Sequence, residues 1–198
     1  MSEKEIRMLD SQIEIRTIGE EDEKKDVIVG YALRFNTYSE DLGGFIETIE
    51  PRALDQARMD NVVALINHDS SLVLGRSTSG TLKLETDEFG LKYTIDPPNT
   101  SYARDLMESM KRGDISQSSF AFSLDYADDG DESWAHDRDR DIYIRTIKRF
   151  KSISDVSVVT VPAYSDTQVV VAQRSLNEHK SELQNEINKR KMLIELEL

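Results

Sequence analysis

Few side chains in this sequence are equipped for covalent chemistry. The chain has no cysteine and only three histidines, so thiolate nucleophiles are excluded, and if a serine is the nucleophile one of these histidines is its natural base. His136 and His179 stand in strongly polar surroundings and read as solvent-exposed, whereas His68 ends the apolar run of VVALINHDSSLVLGR (62–76). The serines that matter are in ISQSSFAFSL (115–124). Read as a strand, this stretch puts Ser118, Phe120, Phe122 and Leu124 on one face and Ser119, Ala121 and Ser123 on the other. The aromatic face belongs to a core, and the small-residue face is either close packing or a shallow surface that a substrate backbone can approach. Of the two adjacent serines, parity therefore favours Ser119. A third group is needed to orient the imidazole. Asp155, which opens DVSVVTVP, the neighbouring Asp69 and His136 all qualify by type. Taken singly, each of these residues has a plainer reading as a hydrogen-bonded strand end or surface group.

Composition bounds the alternatives. The 198 residues suffice for one substantial core, and 38% hydrophobic with 32% charged residues suits a soluble globular domain with charged segments. No run approaches the roughly 18 apolar residues of a membrane span, and MSEKEIRMLDSQ has no signal-peptide pattern, so the expectation is a soluble protein kept inside a cell. Without cysteine, and with scattered histidines, no metal site and no cofactor are expected. A formal net charge of −13 argues against a nucleic-acid partner.

The elements that must position these groups read as α+β. Residues 1–12 form a charged extension, and the fold proper begins near Ile13. Strands are predicted at 26–36, 61–67, 72–76, 80–86 and 90–96, separated by HDSS, STSG and TDEFG, with a short helix at 50–58. Ala103, Leu106, Met107 and Met110 recur at helical spacing, so 100–114 is a helix capped by Thr100 or Ser101 and stopped by Gly113. Strands follow at 115–125, 142–150 and 153–161. The acidic segment 126–141 reads as a long hairpin loop. A last strand at 167–173 leads into a helical tail, 174–198, in which Leu176, Leu183, Ile187 and Ile194 line one side.

The ordered set NHDSSLVLGRSTSGTLKLETDEFGLKYTIDPPNTSYARDLMESMKRGDISQSSFAF followed by SISDVSVVTVPAY resembles the prohead proteases of tailed bacteriophages, which share a fold with herpesvirus assemblins. The resemblance covers about Ile13 to Val171. It implies a mainly antiparallel β-barrel of assemblin type with a few surrounding helices, spanning a protease domain at 13–173. It also implies that His68 is the base, Ser119 the nucleophile and Asp155, before VSVV, the third member. Assemblins use a second histidine there, for which His136 is the spare candidate. Gln117 replaces the family's glycine after DIS, and SSFAF stands for MSFGF. Arg145, Arg149 or a backbone N–H are candidate oxyanion donors. The implied activity is a serine endopeptidase that cleaves the scaffold portion of the phage capsid protein, and itself, inside the procapsid in the host cytoplasm, encoded by a phage or an integrated prophage. Its partners would be the major capsid protein, its scaffold region and further copies of itself. A non-enzymatic scaffold or packaging component of the procapsid is the competing expectation; a lipase-like hydrolase is disfavoured because no G-x-S-x-G pentad occurs.

Overall fold

The computed structural model describes residues 3–9, 13–21, 24–125, 130–160 and 166–196. Within them the chain is α+β, with twelve strands in three sheets and two α-helices. The first sheet consists of β1 (Glu5–Leu9), β9 (Gln117–Ser123), β12 (Ser152–Val159), β5 (Val63–Ile66) and β6 (Asp69–Arg76), in that spatial order. The second is β2 (Glu14–Ile18), β3 (Lys25–Arg34), β8 (Gly90–Ile95) and β7 (Leu82–Thr86). The third is β10 (Glu132–Asp137), β11 (Ile142–Ile147) and β4 (Phe45–Ile49). Pairing is antiparallel except between β12 and β5 and between β11 and β4.

The first two sheets and helix α1 (Ser101–Arg112) enclose one core. Ile28, Leu33, Leu91 and Ile95 meet Phe120, Phe122, Val156 and Val158 there, beneath Ala103 and Leu106. Edge strands remain on each sheet, so the described residues form no closed barrel. The sheets meet through side chains rather than through a continuous hydrogen-bonded ladder. Helix α1 ends as its sequence predicts: Gly113 takes φ 81°, and the Gly113 and Asp114 N–H groups bond to the Met110 and Ser109 carbonyls. Thr100 occupies the N-cap position, but among the described residues its buried hydroxyl finds no partner.

Several elements depart from the sequence reading. The 1–12 segment is not merely an extension, because β1 pairs with β9 along its length. The helix expected at 50–58 is a single tight turn, Pro51–Leu54. The predicted 126–141 loop is in part β10, although residues 126–129 lie outside those described. Its polarity is accommodated because Glu132 pairs with buried Arg145 while Trp134 meets Phe45 edge-on at 5.2 Å. The strand expected at 167–173 is helical, within α2 (Asp166–Leu196). Ala172 and Leu176, one helical turn apart, are buried together against Leu42 and Phe45; a strand would put them on one face as well, but about 13 Å apart. Farther along the stripe, Leu183, Ile187 and Ile194 are exposed.

Buried charge ties β1 to the third sheet. Arg145 on β11 is fully buried and donates to Glu5 and Glu47 at 2.8 Å each and to Glu132 at 2.6 Å. Arg7 donates to Glu5 at 2.6 Å and to Glu47 at 2.9 Å. Burial works against both guanidinium charges, yet the surrounding carboxylates outweigh it and hold the two arginines charged. Removing one partner from such a cluster strands the others in a desolvated site. Arg145→Met should therefore lower stability by about 3–5 kcal/mol, read from urea unfolding midpoints. A wild-type midpoint would mean that the cluster contributes nothing to joining these strands.

Candidate active site

His68 sits in the connection between β5 and β6, not on a strand. Ile66 pairs with Asp69, which leaves Asn67 and His68 as a two-residue hairpin loop, with φ of 51° and 58°. Left-handed conformations at both central positions define the tight turn that matches strand twist. They are uncommon for residues other than glycine, asparagine, aspartate and histidine. The neighbouring β12 pins this turn. The Asn67 N–H donates to the Val158 carbonyl at 3.0 Å, the Thr160 N–H donates to Asn67 Oδ1 at 3.0 Å, and the His68 N–H donates to Ser157 Oγ at 3.2 Å.

Strand β9 presents its serines to opposite sides, as alternation requires. Ser118 points into the core, where the Tyr93 hydroxyl donates to it at 3.1 Å. Ser119 points to the other face, with its Oγ 2.6 Å from His68 Nε2. Across the ladder, Ser119 is paired with Ser157, and Ala121 with Asp155. Asp155 reaches this face because β12 carries a bulge: Ile153 pairs with Phe122, but Asp155, two residues on, pairs with Ala121. Ser154 is the extra residue. Ile153 thus stays in the core together with Val156 and Val158, while Asp155 and Ser157 turn toward the imidazole.

The geometry joins three side chains in series. Asp155 Oδ1 accepts from His68 Nδ1 through a short contact, and His68 Nε2 faces Ser119 Oγ. An ionised carboxylate can only accept, so Nδ1 carries the imidazole proton and Nε2 offers its lone pair to the hydroxyl. Burial is the strongest influence on Asp155 and opposes its charge. Hydrogen bonds from His68 and Lys4, with the positive charge of Lys4, more than offset it and hold the carboxyl below the usual carboxylate range. Lys4 Nζ lies 2.8 Å from Asp155 Oδ2.

The N-terminal strand also covers the serine. Ser119 is fully buried, and its hydroxyl lies 2.9 Å from the Arg7 carbonyl on β1. With the imidazole neutral, the single hydroxyl proton goes either to Nε2 or to that carbonyl. The Arg7 carbonyl therefore takes up part of the space around Oγ. An open cleft of about 670 Å³ lined by Arg16, Tyr31, Arg34, Lys92 and Ser116 contains none of the three residues.

The other candidates lie elsewhere. Asp69 accepts from the Ser71 N–H and hydroxyl, at 2.8 and 2.6 Å, on the exposed side of the turn. His136 is on β10, where Nε2 is 3.2 Å from Asp141 and the ring lies over Tyr143. Arg145 belongs to the buried cluster, and Arg149 donates to Asp131 at 2.6 Å. Ser157 was missed by the sequence reading, although its position two residues after Asp155 was a usable signal.

A family profile described as Caudovirus prohead serine protease matches residues 11–182. No curated protein matches the chain. Among solved structures, that of the bacteriophage T4 capsid assembly protease, gp21, aligns with a TM-score of 0.48 and 11% identity, over 79% of this chain and 98% of that one.

The depressed carboxyl of Asp155 sets a direction for acid stability. Because its folded pKa lies below the unfolded value of about 3.9, its stabilisation is complete well above pH 4 and disappears as pH falls through the folded value. The stability difference between wild type and Asp155→Asn should therefore shrink as pH falls below about 4. Denaturant unfolding at several pH values reads this directly, and a difference that grew on acidification would overturn the assignment.

Proposed function

The chain belongs to the caudovirus prohead serine proteases, and from that premise we propose that Ser119, His68 and Asp155 are its catalytic nucleophile, base and orienting acid. It is a serine protease of phage capsid maturation. The observation that carries the finer reading is the unbroken series from the Asp155 carboxylate through His68 to Ser119 Oγ.

On this reading His68 Nε2 removes the Ser119 proton as Oγ attacks the carbonyl carbon of a peptide bond. Asp155 keeps the imidazole in its Nδ1–H form and offsets the charge that develops on it. The tetrahedral intermediate collapses as His68 passes the proton to the departing amine. Water, deprotonated by the same imidazole, then releases the acyl group from Ser119. The substrate is the scaffold portion of the major capsid protein, and the protease itself, inside the assembling procapsid of the infected cell. Local crowding there makes modest catalytic efficiency sufficient. The three sheets around one core would then be an opened form of the assemblin-type barrel. The division of the chain becomes a protease domain at 13–173, completed by β1, and a helical tail at 174–198. The exposed Leu183, Ile187 and Ile194 suit the tail to contacts with the scaffold or another copy.

Adjacent serines supply the decisive comparison. Ser119→Ala should abolish cleavage of the unprocessed capsid protein, a loss of about 10⁴-fold or more, with little change in melting temperature. Ser118→Ala should retain most of the activity and lose some stability, since it leaves the buried Tyr93 hydroxyl without its acceptor. Gel analysis of the cleavage products and thermal melts of both variants test this. Equal loss of activity from the two substitutions would contradict the assignment.

A further inference from the structure

We propose that Ser157 is a positioning residue that fixes the orientation and tautomer of His68. The inference rests on the Ser-His-Asp reading and adds a fourth side chain to it. Ser157 is fully buried on β12, directly across the ladder from Ser119 and two residues from Asp155, so all three side chains share one face.

Its hydroxyl oxygen meets three groups. It accepts the His68 backbone N–H at 3.2 Å, lies 3.2 Å from His68 Nδ1 and lies 3.4 Å from Asp155 Oδ1. The proton inventory assigns their roles. The backbone N–H can only donate, so Ser157 Oγ accepts there. The Nδ1–H already points to Asp155 Oδ1, so Nδ1 has no lone pair to offer Ser157. The Ser157 proton therefore goes to Asp155 Oδ1, and its oxygen remains beside Nδ1–H as a second, weaker acceptor. Every atom around Nδ1 then favours a protonated Nδ1, which leaves Nε2 as the lone-pair nitrogen facing Ser119. An imidazole flipped about its Cβ–Cγ bond would lose the contacts to both Asp155 and Ser157.

The backbone contact has a separate consequence. His68 occupies the left-handed second position of its turn, which a non-glycine residue adopts at some cost. A hydrogen bond from its N–H to a buried hydroxyl on the neighbouring strand secures the turn where the imidazole leaves it. One side chain thus ties the backbone of the base, the ring of the base and the orienting carboxylate to the strand that pairs with the nucleophile.

The test compares four variants on the unprocessed capsid protein of the same phage, with substrate concentration varied to separate kcat from KM. Ser157→Ala should fold and lower kcat by about 10- to 100-fold, the effect expected of a misplaced catalytic group, with KM unchanged. Ser157→Thr and Ser157→Val add the same branch to the same buried site but differ in the hydroxyl. Thr should return most of the lost turnover and Val should not. Wild-type kcat in the alanine variant, or equal activity of Thr and Val, would overturn the proposal. Ser119→Ala run in parallel separates the two levels: activity that survives it defeats the Ser-His-Asp reading itself, whereas an inactive Ser119→Ala with an unimpaired Ser157→Ala defeats only the role of Ser157.

Discussion

The bulge at Ser154 in β12 is the constraint on which the site depends. In an unbroken strand, Ile153 and Asp155 would share a face, and any register that buried the isoleucine would bury the aspartate among the phenylalanines of β9. The extra residue reverses that relation. Ile153 pairs with Phe122 in the core, and Asp155 pairs with Ala121 on the side of Ser119. From that point the ladder does the rest. The parallel pairing of β5 with β12 brings the Asn67–His68 turn past the end of the Ser157 row, and the antiparallel pairing of β9 places Ser119 opposite Ser157. Three side chains from distant parts of the sequence converge because three adjacent strands agree in register.

The small residues of this face are part of the same arrangement. Ala121 stands opposite Asp155, and a larger side chain there would compete with the carboxylate for the space beside the imidazole. Against it lies β1, held by a different kind of interaction. Its Glu5 and Arg7 side chains enter a buried cluster with Glu47 and Arg145, while its backbone pairs with β9 and Lys4, the residue before it, reaches Asp155. Ser119 is consequently covered by a strand whose other face is anchored by charge rather than by apolar packing. Burial of these charges is costly unless every partner is present, so β1 and the third sheet are coupled: a displacement of β1 that opened Ser119 would also disturb Arg145.

Much of this site could be read from local pattern. The choice of Ser119 over Ser118 needed only strand alternation, and the helix ending at Gly113 needed only apolar spacing and a glycine stop. The pairing of His68 with Asp155 rather than Asp69 or His136 followed from the family resemblance, and no local pattern distinguished them. What remained hidden involves long-range pairing. The charged 1–12 segment looked too polar to pack because the distant partners of Glu5 and Arg7 lie 140 and 40 residues away, respectively. The acidic 126–141 stretch hid β10 for a different reason: Arg145, the partner that offsets the charge of Glu132, is close in sequence but lies on the following strand, outside the stretch. The valines before Ala172 suggested a strand, but burial of Ala172 with Leu176 favours a helix. The bulge left no local signature beyond the serine itself.

The central claim is that sheet register alone selects Ser119 as the one activated hydroxyl, and covalent labelling tests it most directly. Purified protease is treated with a fluorophosphonate, which reacts with serines activated by a neighbouring base, and the adduct is located by peptide mass mapping. The account predicts a single adduct on Ser119, absent from protein whose His68 is replaced by alanine. An adduct on Ser118 or another serine, or labelling of Ser119 that persists without His68, would contradict it.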